Sequence, residues 1–267
     1  VELRVKYLND IVDHFLIVEA DHTHAGKKKI WNFPDILKNN LKEFSHKIHY
    51  RQMEVNLNKA ETEKNPRNSS LTGNLANLGR SWKIENMQRN YIKNATKNFS
   101  KNDIIMISDL DEIPSKDKIS FIKSCDFKTI APVAFEQAMF HLDCNYLNLE
   151  KWIGTIAITK ELIDNYEPQV FRNNKNRISH FIDAGWTFSS FGGAQRVKEK
   201  FEAFAHQEYN NEKFTNQKHI ENCAEKGLDL FHRNIQRNKI NKNFFPKDLL
   251  KLMDQNSTFY FGSNATF

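Results

Sequence analysis

Ile104 to Ile107 form an unbroken apolar run, and the chain passes from it almost directly into Asp109-Leu110-Asp111-Glu112-Ile113-Pro114. Apolar residues without polar alternation predict a strand covered on both faces, the pattern of a central strand in a parallel sheet. Pro114 is expected to open a new helix just beyond the acids. Three carboxylates at the mouth of a buried strand repel one another. Desolvation there would raise their pKa values unless a cation compensates. Hard oxygen ligands suit Mg²⁺ or Mn²⁺, which are usually held by one or two carboxylates together with substrate phosphates. The pattern therefore predicts a metal–diphosphate site on Asp109 and Asp111. Asp-x-Asp also occurs in surface turns and calcium loops, but the downstream Gly and Glu of an EF-hand loop are missing here.

The rest of the chain supplies an α/β setting. "VELRVKYLND" has helical spacing, and "HFLIVEA" reads as a buried strand ending at Glu19, followed by the polar loop "DHTHAGKKK". Ligands collect at the ends of strands in open α/β sheets, which places Glu19 and His22 well. Residues 35–44 are expected to be helical, "KIHY" a short strand, and residues 75–99 a long helix. On that helix Glu85 and Arg89 stand four apart on one face. Residues 58–74 contain Pro66 and Gly73 and almost nothing apolar, which predicts a mobile surface loop within one domain. Strand-like runs follow within residues 129–158 and in "RISHFIDAGWTFSSFGG". Helices are expected at 193–205, 212–226 and 246–254. Alternating strands and helices followed by β-rich segments predict a doubly wound sheet with an added antiparallel portion, in a single domain over 1–267.

Composition narrows the class. The 267 residues are 39% hydrophobic and 12% aromatic, enough for a packed core and against global disorder. Lys and Arg number 39 against 33 acids, and this surplus of +6 is scattered, so no nucleic-acid surface is expected. The three cysteines fit a reducing compartment better than a disulfide framework. No apolar stretch reaches the length of a membrane span. A cytoplasmic location follows as the expectation, with peripheral association at the inner membrane face left open.

"YLNDIVDHFLIVEADHTHAGK", "WKIENMQRNYI", the segment from Ile105 to Pro114, and "DAGWTFSSFGG" with "EKFEAFAHQEYN" occur in one order. Together they resemble glycosyltransferase family 17, in its bacterial form, from about Leu3 to Asp229. The resemblance implies a GT-A type fold, a UDP-sugar donor (UDP-N-acetylglucosamine foremost), a glycan acceptor, Mn²⁺ or Mg²⁺, and inversion at the anomeric carbon. Members usually carry a further strand ahead of the helix at Val1, and this sequence lacks it.

Within that frame, metal ligation is expected of Asp111 first, then of Asp109, directly or through water, with His206 of "FAHQEY" as a third ligand. The donor would be met by Glu19, His22, Glu85, Arg89 and Asp109. Asp183, just before Gly185-Trp186, is the expected base, with Glu208 and Glu136 behind it, and Trp186 would stack on an acceptor sugar. Two rival classes set acids or aromatics to other uses. A metal-dependent nucleotidyltransferase would want a Gly-rich phosphate loop, and the chain has only nine glycines. A non-catalytic carbohydrate-binding protein would not need the buried acids.

Overall fold

The structure, a computed structural model, describes residues 1–62, 79–256 and 259. Helix α1 (Glu2–Leu8) leads to strand β1 (Phe15–Ala20), helix α2 (Phe33–Asn40), strand β2 (Ile48–Met53) and helix α3 (Leu57–Thr62). The expected loop over 58–74 therefore begins inside a helix, and its part from 63 onward lies outside the described residues. Helix α4 (Arg80–Ala95) is shorter than the 75–99 expected.

β1 and β2 form a two-stranded parallel sheet, registered from Phe15 opposite Ile48 to Ala20 opposite Met53. Pro34, early in α2, suits a helix start because its missing N–H is unneeded there. Ile84 of α4 is fully buried against Ala20, Met53 and Val55, so α4 lies on this small sheet.

Next come β3 (Ile104–Ile107), β4 (Glu112–Pro114), α5 (Lys116–Ser124), β5 (Val133–His141), β6 (Tyr146–Asn148) and β7 (Trp152–Thr159). Pro114 closes a strand instead of opening a helix, and α5 starts two residues later. After α6 (Lys160–Asn165) and α7 (Pro168–Asn173) follow β8 (His180–Phe181) and β9 (Gly185–Ser189). The C-terminal part contains α8 (Gly193–Ala203), α9 (Glu212–Thr215), α10 (Gln217–Lys226), β10 (Arg237–Lys239) and α11 (Lys247–Asp254). The single helix expected over 212–226 is split, because the Asn216 side chain accepts from His219 N and caps a new start.

The eight remaining strands form one curled sheet in the order β10-β6-β5-β7-β3, with β8 and β9 on the other edge of β5 and β4 on β9. The protein is a mixed α/β structure, but this sheet is not doubly wound. Only β8 and β9 run parallel to β5, and the other pairings are antiparallel. β3 is accordingly neither central nor parallel: it ends the strand order, antiparallel to β7. Its unbroken apolar run has a different cause. Ile105 and Ile107 pack into one cluster with Ile156 and Ile158, while Ile104 and Met106 pack into another with Val133 and Ala157. Burial on two faces removes polar alternation whatever the strand's direction.

The largest core cluster joins α1, β9 and α11 through Leu8, Trp186, Phe188, Phe245 and Leu249. Among the described residues no helix is long and apolar enough to cross a membrane. All three cysteines are free.

Gly185 opens β9 at φ +137, and a Cβ there would sit 2.2 Å from the Ile113 carbonyl oxygen. Both the backbone angle and the contact exclude a side chain. Gly185→Ala should therefore cost more than about 2 kcal/mol in urea unfolding, whereas a loss under about 0.5 kcal/mol would refute this close packing.

Candidate active site

After Ile107 the chain leaves the sheet, and Ser108 Oγ anchors the exit on Thr155 Oγ1 at 2.7 Å. It re-enters at Glu112, where β4 pairs with β9. The three acids of the turn meet three different surroundings.

Glu112 is fully buried. Its Oε1 accepts from Trp152 Nε1 at 2.7 Å and from Arg172 Nη2 at 2.7 Å, and its Oε2 accepts from the Asp109 amide at 3.0 Å. Burial, followed by the charge of Asp109, pushes its carboxyl above the ordinary range despite those donors.

Asp109 has both oxygens engaged by arginines: Oδ1 accepts from Arg89 at 3.0 Å and Oδ2 from Arg172 at 2.5 Å. Burial opposes its ionisation, but Arg172 and Arg89 outweigh it and hold the carboxyl at about 2. Arg89 is held in turn by Glu85 at 2.9 Å and by Gln169. Arg172 also donates to the Gly154 carbonyl at 2.9 Å, and Arg4 to the Asp109 carbonyl at 3.1 Å.

Asp111 differs. Among the described residues its one polar side-chain contact is Lys200 Nζ at 3.5 Å from Oδ2, and 31% of its side chain is exposed. Leu110 beside it is 61% exposed.

These surroundings decide what a divalent cation would find. Asp109 was expected as a ligand; here each of its oxygens already accepts from an arginine, although 39% of its side chain stays exposed. Glu112 is likewise consumed. Among the described residues no three His, Cys, Asp or Glu side chains come together as a metal cage. Asp111 is the least engaged of the three, with no donor on its Oδ1 among the described residues. That fits a metal taking one protein ligand and completing its shell with phosphate and water oxygens, the usual habit of Mg²⁺.

One face of α4, carrying Trp82, Glu85 and Arg89, forms the wall beside Asp109. His24 approaches it from the loop after β1, with Nε2 2.9 Å from Gln88 Oε1 and Nδ1 3.8 Å from Glu85. His22 in the same loop is tied to Asp21 at 2.7 Å and does not touch this group.

His206 lies just past α8, edge-on to Trp82 with ring centroids 4.5 Å apart. Its Nδ1 is 2.6 Å from Glu208 Oε1, so two residues expected in separate roles form one pair. Lys200 on the last turn of α8 contacts Asp111 and Ser189. His206 is thus bracketed by elements that touch Asp109 on one side and Asp111 on the other.

Several expected residues lie elsewhere. Glu19 was expected at the donor. Its oxygens accept from Lys29, Tyr50 and the amides of Asn32 and Phe33, which fastens the start of α2 and leaves nothing for a ligand. Burial alone would raise its pKa, but these donors lower it. Trp186 was expected as a sugar platform, yet it is buried, edge-on to Tyr7 and against Phe245. Its apolar bulk is spent on the core.

Asp183 pairs with Lys151 at 3.1 Å, and Glu136 lies 3.9 Å from the same ammonium, so these two expected bases share a cation. They are remote from Asp111. Phe188 N bonds to the Asp111 carbonyl, whereas Asp183 lies before the start of β9 at Gly185, three strand residues from Phe188 or roughly 10 Å in an extended strand.

Arg172, Lys175 and Trp152 were not foreseen. Gln169, Arg172 and Lys175 recur every third residue from Pro168, at the start of α7, into the following turn, which places them along one side. That spacing was readable, although three cationic or amide residues on a short helix ordinarily mean a solvated surface.

Residues 1–257 match the family described as Glycosyltransferase family 17. No curated protein and no solved structure matches the chain.

Asp109 keeps 39% of its side chain exposed, so water screening reduces what its pairing is worth. Asp109→Asn should cost roughly 1 to 3 kcal/mol at neutral pH. The folded carboxyl lies below its ordinary 3.8, at about 2, so its stabilisation is complete above that ordinary value and is lost as the pH falls towards 2. Urea unfolding of both proteins across that window should show a flatter acid limb in the variant. Parallel curves would contradict the pairing.

Proposed function

The chain belongs to glycosyltransferase family 17 and is a glycosyltransferase, and from that premise we propose that it moves N-acetylglucosamine from a UDP-sugar to a glycan acceptor, with inversion and with the help of Mn²⁺ or Mg²⁺. The observation that carries the reading is the unequal use of the three acids. Asp109 and Glu112 are fixed by Arg89, Arg172 and Trp152, while Asp111 meets only Lys200 among the described residues, at 3.5 Å. Such a site is organised in advance and needs little rearrangement when charge arrives. A GT-A type arrangement of the nucleotide-binding half is part of the same proposal, as is a single domain over 1–267.

In this mechanism Asp111 is the protein ligand of the cation. When bound, the ion supplies positive charge against the departing diphosphate. Arg172 and Arg89 hold Asp109 ionised and rigid, so the turn that carries Asp111 cannot swing away. Inversion requires a base on the acceptor side. Asp183 and Glu136 sit at the far end of β9 around Lys151, so Glu208 acting through His206 takes that role. With the Nδ1 proton directed at Glu208, the lone pair on Nε2 is free to receive the acceptor hydroxyl proton as the sugar is transferred. Trp82 packs against the imidazole and limits its rotation. The acceptor itself belongs either to a surface polysaccharide or to a glycoprotein.

A screen of nucleotide sugars with added Mn²⁺, reading nucleoside diphosphate release, tests the reaction. UDP-N-acetylglucosamine should turn over, chelation should stop it, and Asp111→Asn should lower kcat by about 100-fold or more. His206→Gln should lower kcat by about 100-fold with little change in KM for the donor. Wild-type protein that turns over no nucleotide sugar, or an Asp111→Asn variant as active as wild type, would overturn the reading.

A further inference from the structure

Lys175 stands in the 3-10 turn after α7, half-buried, with Nζ 3.3 Å from the centroid of the Trp152 ring. Arg172 lies over the same indole at 5.4 Å. The ring cannot drift, because its Nε1 is bonded to buried Glu112. Among the described residues no carboxylate lies within ion-pair distance of Lys175, although Arg172 one turn before it and Arg89 on α4 are both paired. The acids that would otherwise serve it are consumed: Asp109 by the two arginines, Glu112 by Arg172, Trp152 and the Asp109 amide.

We propose that Lys175 is a binding residue for the diphosphate of the sugar donor, held on the Trp152 face so that its N–H groups meet the phosphate oxygens. The assignment rests on the donor reading above. Its argument is one of unmet charge. Burial, and then the neighbouring Arg172, bring the Lys175 ammonium down to about 7, so the charges of Glu112 and Asp109 compensate it only in part. The indole face offers a cation only a modest attraction, of the order of 1 to 2 kcal/mol. It acts as a shelf that fixes position more than as a counter-charge. A polyanion arriving at this shelf supplies what the protein withholds. Diphosphate is the anion that the transfer reaction brings there. Three ammonium N–H donors on a fixed stem suit clustered phosphate oxygens better than a single carboxylate.

Calorimetric titration of wild type, Lys175→Met and Lys175→Arg with UDP, uridine and pyrophosphate, all with Mn²⁺ present, tests this. Lys175→Met should weaken UDP and pyrophosphate by about 10- to 100-fold, the scale of one charge-assisted hydrogen bond, and leave uridine unchanged. Lys175→Arg keeps the charge and the ring contact, so it should stay within about 3-fold of wild type for UDP. It also serves as the folding control. Equal UDP affinity in Lys175→Met and wild type would overturn the assignment while leaving the donor reading intact. So would a Lys175→Arg variant as weak as Lys175→Met, which would indicate a neutral, proton-accepting amine. If pyrophosphate binds in a Lys175-dependent way but no nucleoside diphosphate does, the residue stands and the nucleotide donor falls. If neither binds, both fall.

Discussion

Arg172 holds two acids of different character with one guanidinium: half-exposed Asp109 and fully buried Glu112. Two carboxylates joined through a backbone amide contact would otherwise repel each other in a medium that screens poorly. Arg172 Nη2 answers both at once, and Nη1 reaches the Gly154 carbonyl on β7. The turn between β3 and β4 is therefore tied to the sheet by an ionic clamp as well as by backbone pairing. Breaking it would strand one buried charge whichever partner were removed. The shape of the site, and the direction in which Asp111 points, follow from this clamp.

The clamp also divides labour among neighbours in sequence. Asp109, Asp111 and Glu112 lie within four positions, yet one is ionised well below its ordinary range, one is pushed towards neutrality, and one meets only Lys200 among the described residues. Chemical identity does not separate them. Environment does: arginine neighbours for the first, desolvation for the second, the lip of the sheet for the third. Around them the protein places more positive charge than its acids can use, and Lys175 on its indole shelf is where the excess collects.

Much of this was legible in the chain. The apolar run and its acids pointed to the candidate site, the family resemblance pointed to glycosyl transfer, and α4 with Glu85 and Arg89 on one face was readable from spacing of four. What failed, failed for physical reasons. Ile104 to Ile107 told of burial on two faces, and direction cannot be read from burial. Trp186 and Glu19 were read as ligand residues because a large ring and a strand-end acid suit that purpose. The core claimed the ring and the start of α2 claimed the acid. Asp183 beside Gly185-Trp186 was expected as the base, but antiparallel pairing of β4 with β9 carries it to the end of β9 away from Asp111. Only pairing register, which involves residues some seventy positions apart, could have revealed that. Arg172 and Lys175 were hidden for the same reason, since their meaning comes from Asp109, Glu112 and Trp152, which other elements bring to them.

β5 is the trunk on which the whole sheet branches. Its first half pairs with β7, its second half with β9, and β9 in turn receives β4. The partner β7 is nearby in the chain, but β9 arrives some forty residues later, after the segment that carries Arg172 and Lys175. Closing so long a loop is entropically costly before any contact rewards it. During synthesis, then, the ribosome releases the acidic turn long before the strand that seats it and the arginine that clamps it. A nascent chain ending before residue 172 possesses the motif without the pocket, a row of carboxylates with nothing yet to hold them apart.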